Sequence, residues 1–184
     1  KVIHVITRFD QGGSAQNTLL TALGHDRTSF QPSVVAGMAG RWDAQGGLEA
    51  TKENCRRLEE AGLRWQLIPA LTRRVSPVKD LQALFQLVAL FRRERPTIVH
   101  THTSKAGVLG RVAAWLAGVP VVVHTPHGHV FYGHFGWLAS RIFLLIERVL
   151  SRRSTWLIAL TEAEREEHLQ RGVGRRDRFA VVPS

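Results

Sequence analysis

Residues 97–129 read TIVHTHTSKAGVLGRVAAWLAGVPVVVHTPHGH. Two β-branched runs, "TIVHTH" (97–102) and "PVVVHT" (120–125), flank a helical stretch, 104–117, that stops at Gly118. Runs of this length and composition suit strands buried on both faces. A strand, a helix and a strand joined by short turns make a parallel pair with a crossover. Five of the nine histidines fall in this stretch. Metal ligation, catalysis and plain packing compete to explain them.

The alternation continues on either side. "KVIHVIT" (1–7) reads as a buried strand, followed by Gly12-Gly13 and a helix over 14–23 opened by Ser14 and closed by Gly24. A second strand is expected near 33–38 and a mobile polar loop at 39–47. A charged helix over 49–61 and a short strand over 64–69 come next. Ser76 and Pro77 open a helix whose Leu81, Leu84, Phe85, Val88 and Phe91 are spaced to form a buried face. Beyond residue 130 the spacing predicts a helix over 136–152, a strand over 154–160, a helix over 161–171 and a strand over 178–183. Seven strands alternating with helices, without a hairpin dipeptide, predict an α/β fold: a Rossmann-like three-layer α/β/α sandwich on a mostly parallel sheet.

Bulk composition narrows the function. The chain has 184 residues, 44% hydrophobic and 22% charged, as expected of one globular domain or half of a two-domain protein. Its formal charge of +10 favours anionic partners such as nucleic acid, anionic lipid or phosphorylated small molecules. No helix-turn-helix or RNA-binding signature accompanies that charge, and aromatics do not interleave with the paired arginines, so no specific nucleic-acid partner is expected. A lone cysteine, Cys55, excludes an internal disulfide and a multi-cysteine zinc site. With no signal peptide and no apolar run near the ~18 residues of a membrane span, a cytoplasmic location is expected.

Ligands of a parallel α/β sheet bind beyond the carboxyl ends of its strands. Three loops there carry chemistry. After the first strand, "RFDQGGSAQ" holds Arg8, Gly12, Gly13 and Ser14; it lacks the spacing of a dinucleotide fingerprint or a phosphate loop. After the fourth come His102, Ser104 and Lys105, and after the fifth His127, Gly128 and His129. His100/His102 and His127/His129 are i,i+2 pairs, but no cysteine or aspartate joins them, so no metal site is expected. His4, His100 and His124, flanked by apolar residues, read as packed core. His127, between Pro126 and Gly128, reads as a loop residue poised for substrate.

Three segments carry a family resemblance: "GGSAQNTLL", "IVHTHTSKAGVLGRVAAWLAGVPVVVHTPHGHVFYG" and "LIALTEAEREEHLQRGVGRRDRFAVVPS". Together they resemble the N-terminal, acceptor-side domain of GT-B glycosyltransferases of the retaining glycosyltransferase family 4 type. The resemblance implies a nucleotide-sugar donor, a sugar or lipid-linked acceptor, and no cofactor or required metal. It implies roles in polysaccharide or glycolipid synthesis, with Gly12 and Gly13 approaching the donor phosphates and acceptor. His127 then contacts the transferred sugar as an orienting and electrostatic group, and Arg8 or Lys105 meets phosphate. It also implies a second, donor-binding domain beyond "VVPS", carrying an E-x7-E segment, without which this domain alone is expected to be inactive. The same fold fits a nucleotide-sugar 2-epimerase. In helix 136–152, Leu138, Ile142, Leu145 and Val149 form one stripe and Arg141, Arg148 and Arg152 another face. The expectation is that it covers the sheet and buries Trp137 and Phe143, with peripheral contact to the cytoplasmic membrane face as the alternative.

Overall fold

A computed structural model describes residues 1–10, 12–37, 46–128 and 137–183. Its elements are β1 (Val2–Ile6), α1 (Gly13–Leu23), β2 (Pro32–Gly37), α2 (Gly46–Glu60), β3 (Arg64–Ile68), α3 (Pro77–Glu94) and β4 (Ile98–His102). There follow α4 (Ser104–Leu116), β5 (Val121–Thr125), α5 (Trp137–Arg153), β6 (Trp156–Ala159), α6 (Glu162–Gln170) and β7 (Phe179–Val181). Among the described residues every strand pairing is parallel, in the order β3-β2-β1-β4-β5-β6-β7. The α/β expectation holds, with boundaries shifted by a few residues. The anticipated loop at 39–47 and His129 fall largely or wholly outside the described residues.

Alternation along the strands divides the core into two layers. Ile3, Val5, Val35, Val99 and Val122 pack against α3 and α4, whereas Ile6, Val34 and Ala36 pack against α1 and α2. Helix α4 approaches the sheet through glycines. A Cβ at Gly107 would lie 2.4 Å from the His124 ring, and one at Gly110 would lie 2.6 Å from Thr101 Cγ2. Burial of Thr101 and His124 beneath α4 therefore depends on two missing methyl groups.

Two helix faces differ from the pattern-based expectation. On α3 the buried positions are Ala83, Leu87, Val88, Leu90 and Phe91, while Leu81 and Phe85 are 53% and 64% exposed. Both stripes repeat at three- and four-residue spacing, so periodicity does not choose between them. The stripe with Ala83 lets the helix backbone come close, and that one is buried. On α5, Trp137 is 70% and Leu145 60% exposed, and Ile142 and Val149 are also exposed. Phe143 is half-buried, and the side chain of Leu138 is outside the described set. The inward face instead carries Glu147, Leu150 and Ser151, and Glu147 accepts from buried Arg111 of α4 at 2.5 Å. Anchoring by this ion pair turns the apolar stripe outward.

Candidate functional site

Because β1, β4 and β5 are adjacent and parallel, the loops that follow them share one rim. The first loop is held from below: Phe9 and Asp10 are buried, and Asn54 of α2 donates to both of their carbonyls at 3.1 Å. Arg8 forms an ion pair with Asp10, its Nε donating to Oδ2 at 2.9 Å. Gly12, the N-cap of α1, has φ 124° and ψ 161°, a conformation that strongly favours glycine. Among the described residues no side chain caps α1, and apart from its chain neighbours neither Gly12 nor Gly13 has an atom within 4 Å of where a Cβ would stand. Ser14 lies one residue into the helix.

Helix α4 starts under strain. Its N-cap Thr103 has φ 63° and ψ 168°, a region populated almost only by glycine. Thr7, at the end of β1, accepts from the Ala106 N–H at 2.9 Å and so supplies the cap from a neighbouring strand. Ser104 follows as the first helical residue. Lys105 turns toward α3, pairing with Asp80 at 2.5 Å and donating to the Arg74 carbonyl.

The third loop places His127 in the left-handed region, φ 59°, followed by Gly128 at φ 114°. Glu164 of α6, itself buried, holds this turn. Its Oε1 accepts from the Gly128 N–H at 3.2 Å and its Oε2 from the Leu160 N–H at 2.7 Å. Thr161 caps the same helix by accepting from the Glu164 N–H at 3.0 Å. A Thr-x-x-Glu box in "LTEAE" is legible in sequence; its link to Gly128 is not.

His127 Nδ1 is buried without a hydrogen-bond partner among the described residues, whereas its Nε2 meets His102 Nδ1 at 2.9 Å. His102 is fully buried, so it stands behind His127 rather than at the cleft surface. Its other nitrogen meets His4 Nδ1 at 3.1 Å, and His4 Nε2 meets His25 Nε2 at 3.0 Å. His100 bonds Thr125 Oγ1 at 2.8 Å, and His124 Nδ1 bonds Thr101 Oγ1 at 2.9 Å. The packed-core reading of His4, His100 and His124 matches this arrangement. Sequence reasoning missed His25 and Glu164 as supports of the site.

Burial disfavours charge on all these rings. It pushes His127 down to about 4, with Glu164 acting in the opposite sense, and His100 down to about 3. His4 and His102 are held well below the ordinary imidazole range by burial first and neighbouring histidines second. His4, His100 and His102 each offer a ring nitrogen within 4.8 Å of the others, close enough to consider a metal. Both nitrogens of His4 and of His102 already face other rings, so coordination would break those bonds.

A family model described as glycosyl transferase 4-like domain matches residues 12–184. Over 99 residues the chain is 41% identical to the Escherichia coli UDP-Gal:alpha-D-GlcNAc-diphosphoundecaprenol alpha-1,3-galactosyltransferase, covering 54% of this chain and 26% of that protein. Over 112 residues it is 25% identical to the Staphylococcus aureus capsular polysaccharide biosynthesis glycosyltransferase CapM, covering 61% and 29%. Among solved structures, a Rickettsia africae glycosyltransferase superposes with TM-score 0.68 at 11% identity, covering 99% of this chain and 42% of that one. The Neisseria meningitidis UDP-GlcNAc 2-epimerase bound to UDP-GlcNAc gives 0.65 at 15%, covering 98% and 46%. At these identities the structural likeness speaks for the fold alone. The chain spans under a third of these two curated relatives and under half of these two solved ones.

Proposed function

The chain belongs to the glycosyl transferase 4-like family, and from that premise we propose that it forms the acceptor-side half of a GT-B glycosyltransferase. The whole enzyme moves a sugar from a nucleotide-sugar to a carbohydrate or lipid-linked acceptor in cell-surface polysaccharide or glycolipid synthesis. A donor-binding domain C-terminal to this one closes the cleft. One observation carries this reading: the glycine turn and His127 share a rim, with His127 in the left-handed region, half-buried, and its Nδ1 without a hydrogen-bond partner among the described residues.

The residues divide the work as follows. Gly12 and Gly13 present uncapped helix N–H groups where no Cβ intervenes, which suits the donor phosphates or an acceptor oxygen. Ser14 and Ser104 add hydroxyls at two helix starts. Arg8 brings positive charge beside them, held by Asp10, while Lys105 braces α4 against α3. His127 orients the transferred sugar through Nδ1 and faces the charge that develops as the anomeric bond breaks. Gly128 shapes that turn, and His102 fixes the ring from behind. No metal or cofactor is assigned a part in this reading.

Helix α5 supplies contact with the membrane surface. Among the described residues no helix is long and apolar enough to cross a membrane. Yet Trp137, Ile142, Leu145 and Val149 are exposed beside Arg141, Arg148 and Arg152, an arrangement suited to an anionic interface.

The test is transfer by the full-length protein from labelled nucleotide-sugars to a polyprenyl-diphosphate-linked sugar. Acceptor-dependent product supports the reading. Stereochemical change of the donor without any acceptor would replace it with epimerisation.

A further inference from the structure

Helix α5 is mounted inside out. It turns Glu147 and Ser151 toward the domain, whereas Ile142, Leu145, Ile146 and Val149 are 53%, 60%, 36% and 46% exposed. Polar contacts hold that orientation. Glu147 accepts from Arg111 of α4 at 2.5 Å, and both side chains are buried. Just after α6, the Gly174 N–H donates to Ser151 Oγ at 2.9 Å, and the Arg171 carbonyl accepts from Arg148 Nε at 2.6 Å. Arg153 stacks over the Trp115 ring of α4 at 3.6 Å.

The ion pair is an inefficient way to stabilise a helix. Arg111 Nε donates to the Gly107 carbonyl at 2.7 Å, but Nη1 is buried with no hydrogen-bond partner among the described residues. Desolvation of a buried pair with an orphaned donor is poorly offset, and two apolar side chains of similar volume serve stability at least as well. Glu147 and Leu145 lie on nearly opposite sides of α5. Rolling the helix by half a turn would return Glu147 to water and bury Leu145 and Val149, which the hydrophobic effect favours. The pair therefore holds α5 against the orientation that its apolar residues prefer.

We propose that Arg111 and Glu147 are positioning residues for membrane contact, their pair fixing the roll of α5 so that Ile142, Leu145 and Val149 face an anionic lipid surface. The proposal rests on the membrane reading of α5 above. Charge selects the occupant. Arg141, Arg148, Arg152 and Arg153 are exposed around the apolar stripe, and the one acid of the helix, Glu147, is turned inward. The outward face thus carries a single sign. Anionic headgroups complement it, while a second copy docking through the same face would set arginine against arginine.

The test uses the full-length protein carrying Leu145→Cys, with maleimide labelling at position 145 read by mass spectrometry. Cys55 is buried and adds little background. The vesicles hold phosphatidylglycerol and phosphatidylcholine in equal parts. With the pair intact, position 145 should label rapidly in solution and about fivefold more slowly on vesicles. Adding Arg111→Met and Glu147→Leu together should slow labelling in solution about tenfold and weaken vesicle binding about tenfold, with the unfolding midpoint unchanged or raised. Unchanged labelling and binding in that variant, or its failure to fold, refutes the positioning role. Faster labelling refutes it as well, because a loosened helix exposes position 145 and a rolled one hides it. Absence of vesicle binding with the pair intact overturns the membrane reading itself, even where the double variant labels slowly. Protection of position 145 that grows with protein concentration, without vesicles, overturns lipid in favour of a second copy.

Discussion

The carboxylate of Glu164 accepts a hydrogen bond at 3.2 Å from the backbone N–H of Gly128, 36 positions earlier in the chain. Through that bond the start of α6 controls the turn that carries His127. Glu164→Gln can satisfy the Gly128 and Leu160 N–H groups only partly. It should cost about 1–3 kcal/mol of stability by denaturant unfolding. The loss of negative charge should also move the His127 pKa below its value near 4, in the direction opposite to the carboxylate's effect. An upward movement in an NMR titration would remove Glu164 from this role.

His127→Ala should lower turnover by roughly 100- to 1,000-fold in the full-length enzyme, the range seen when one preorganised polar group is removed. Circular dichroism should change little, while the loss of the partner of buried His102 Nδ1 should lower stability by about 1–3 kcal/mol. Turnover near the wild-type value would end the assignment of this residue.

Acid should destabilise the domain through its buried rings. The folded pKa values of His4, His100, His102 and His124 lie below the ordinary 6.5. Below that value the unfolded chain therefore binds protons that the folded chain does not. Stability present above pH 6.5 is lost as pH falls, until the folded rings also protonate, near 3 for His100. Each such histidine contributes a slope of about 1.4 kcal/mol per pH unit inside its window. Flat stability between pH 6.5 and 4.5 would contradict the burial of these groups as neutral rings.

Gly107→Ala places a methyl group 2.4 Å from the His124 ring. Overpacking of this kind should cost about 1–3 kcal/mol, read as a lower unfolding midpoint with an unchanged denaturant slope. The same substitution at Gly118, where a Cβ meets nothing within 4 Å, differs in cause: its penalty comes from φ 72° alone.

Leu145→Asp on α5 should abolish sedimentation with vesicles rich in anionic lipid while leaving the unfolding midpoint within experimental scatter, because the side chain is already solvent-exposed. Undiminished binding would place the membrane contact elsewhere.

Much of the fold was legible in the local pattern. Short β-branched runs such as "TIVHTH" and "PVVVHT", each followed by helix and glycine, imply parallel strands with crossovers. "SPVKDL" marks the start of α3 through Ser76 and Pro77, and both hold those positions. The buried stripe of α3 was legible in part: Val88 and Phe91 are buried and Leu84 packs against the core as expected, but Leu81/Phe85 and Ala83/Leu87 have the same period and only the latter pair is buried. The outward turn of α5 was not legible, since it follows from a buried ion pair between residues 36 apart in sequence.

The candidate site divides in the same way. Local sequence alone indicated that the loops at Gly12 and His127 follow strands, since that depends only on neighbouring residues. Strand order was decided in three dimensions: β1 sits between β2 and β4, and this brings His4 beside His100 and within reach of His102, 98 positions away. Period and capping are properties of adjacent residues, whereas a file of four imidazoles needs two strands and two loops to meet. Only packing of the whole chain supplies that meeting.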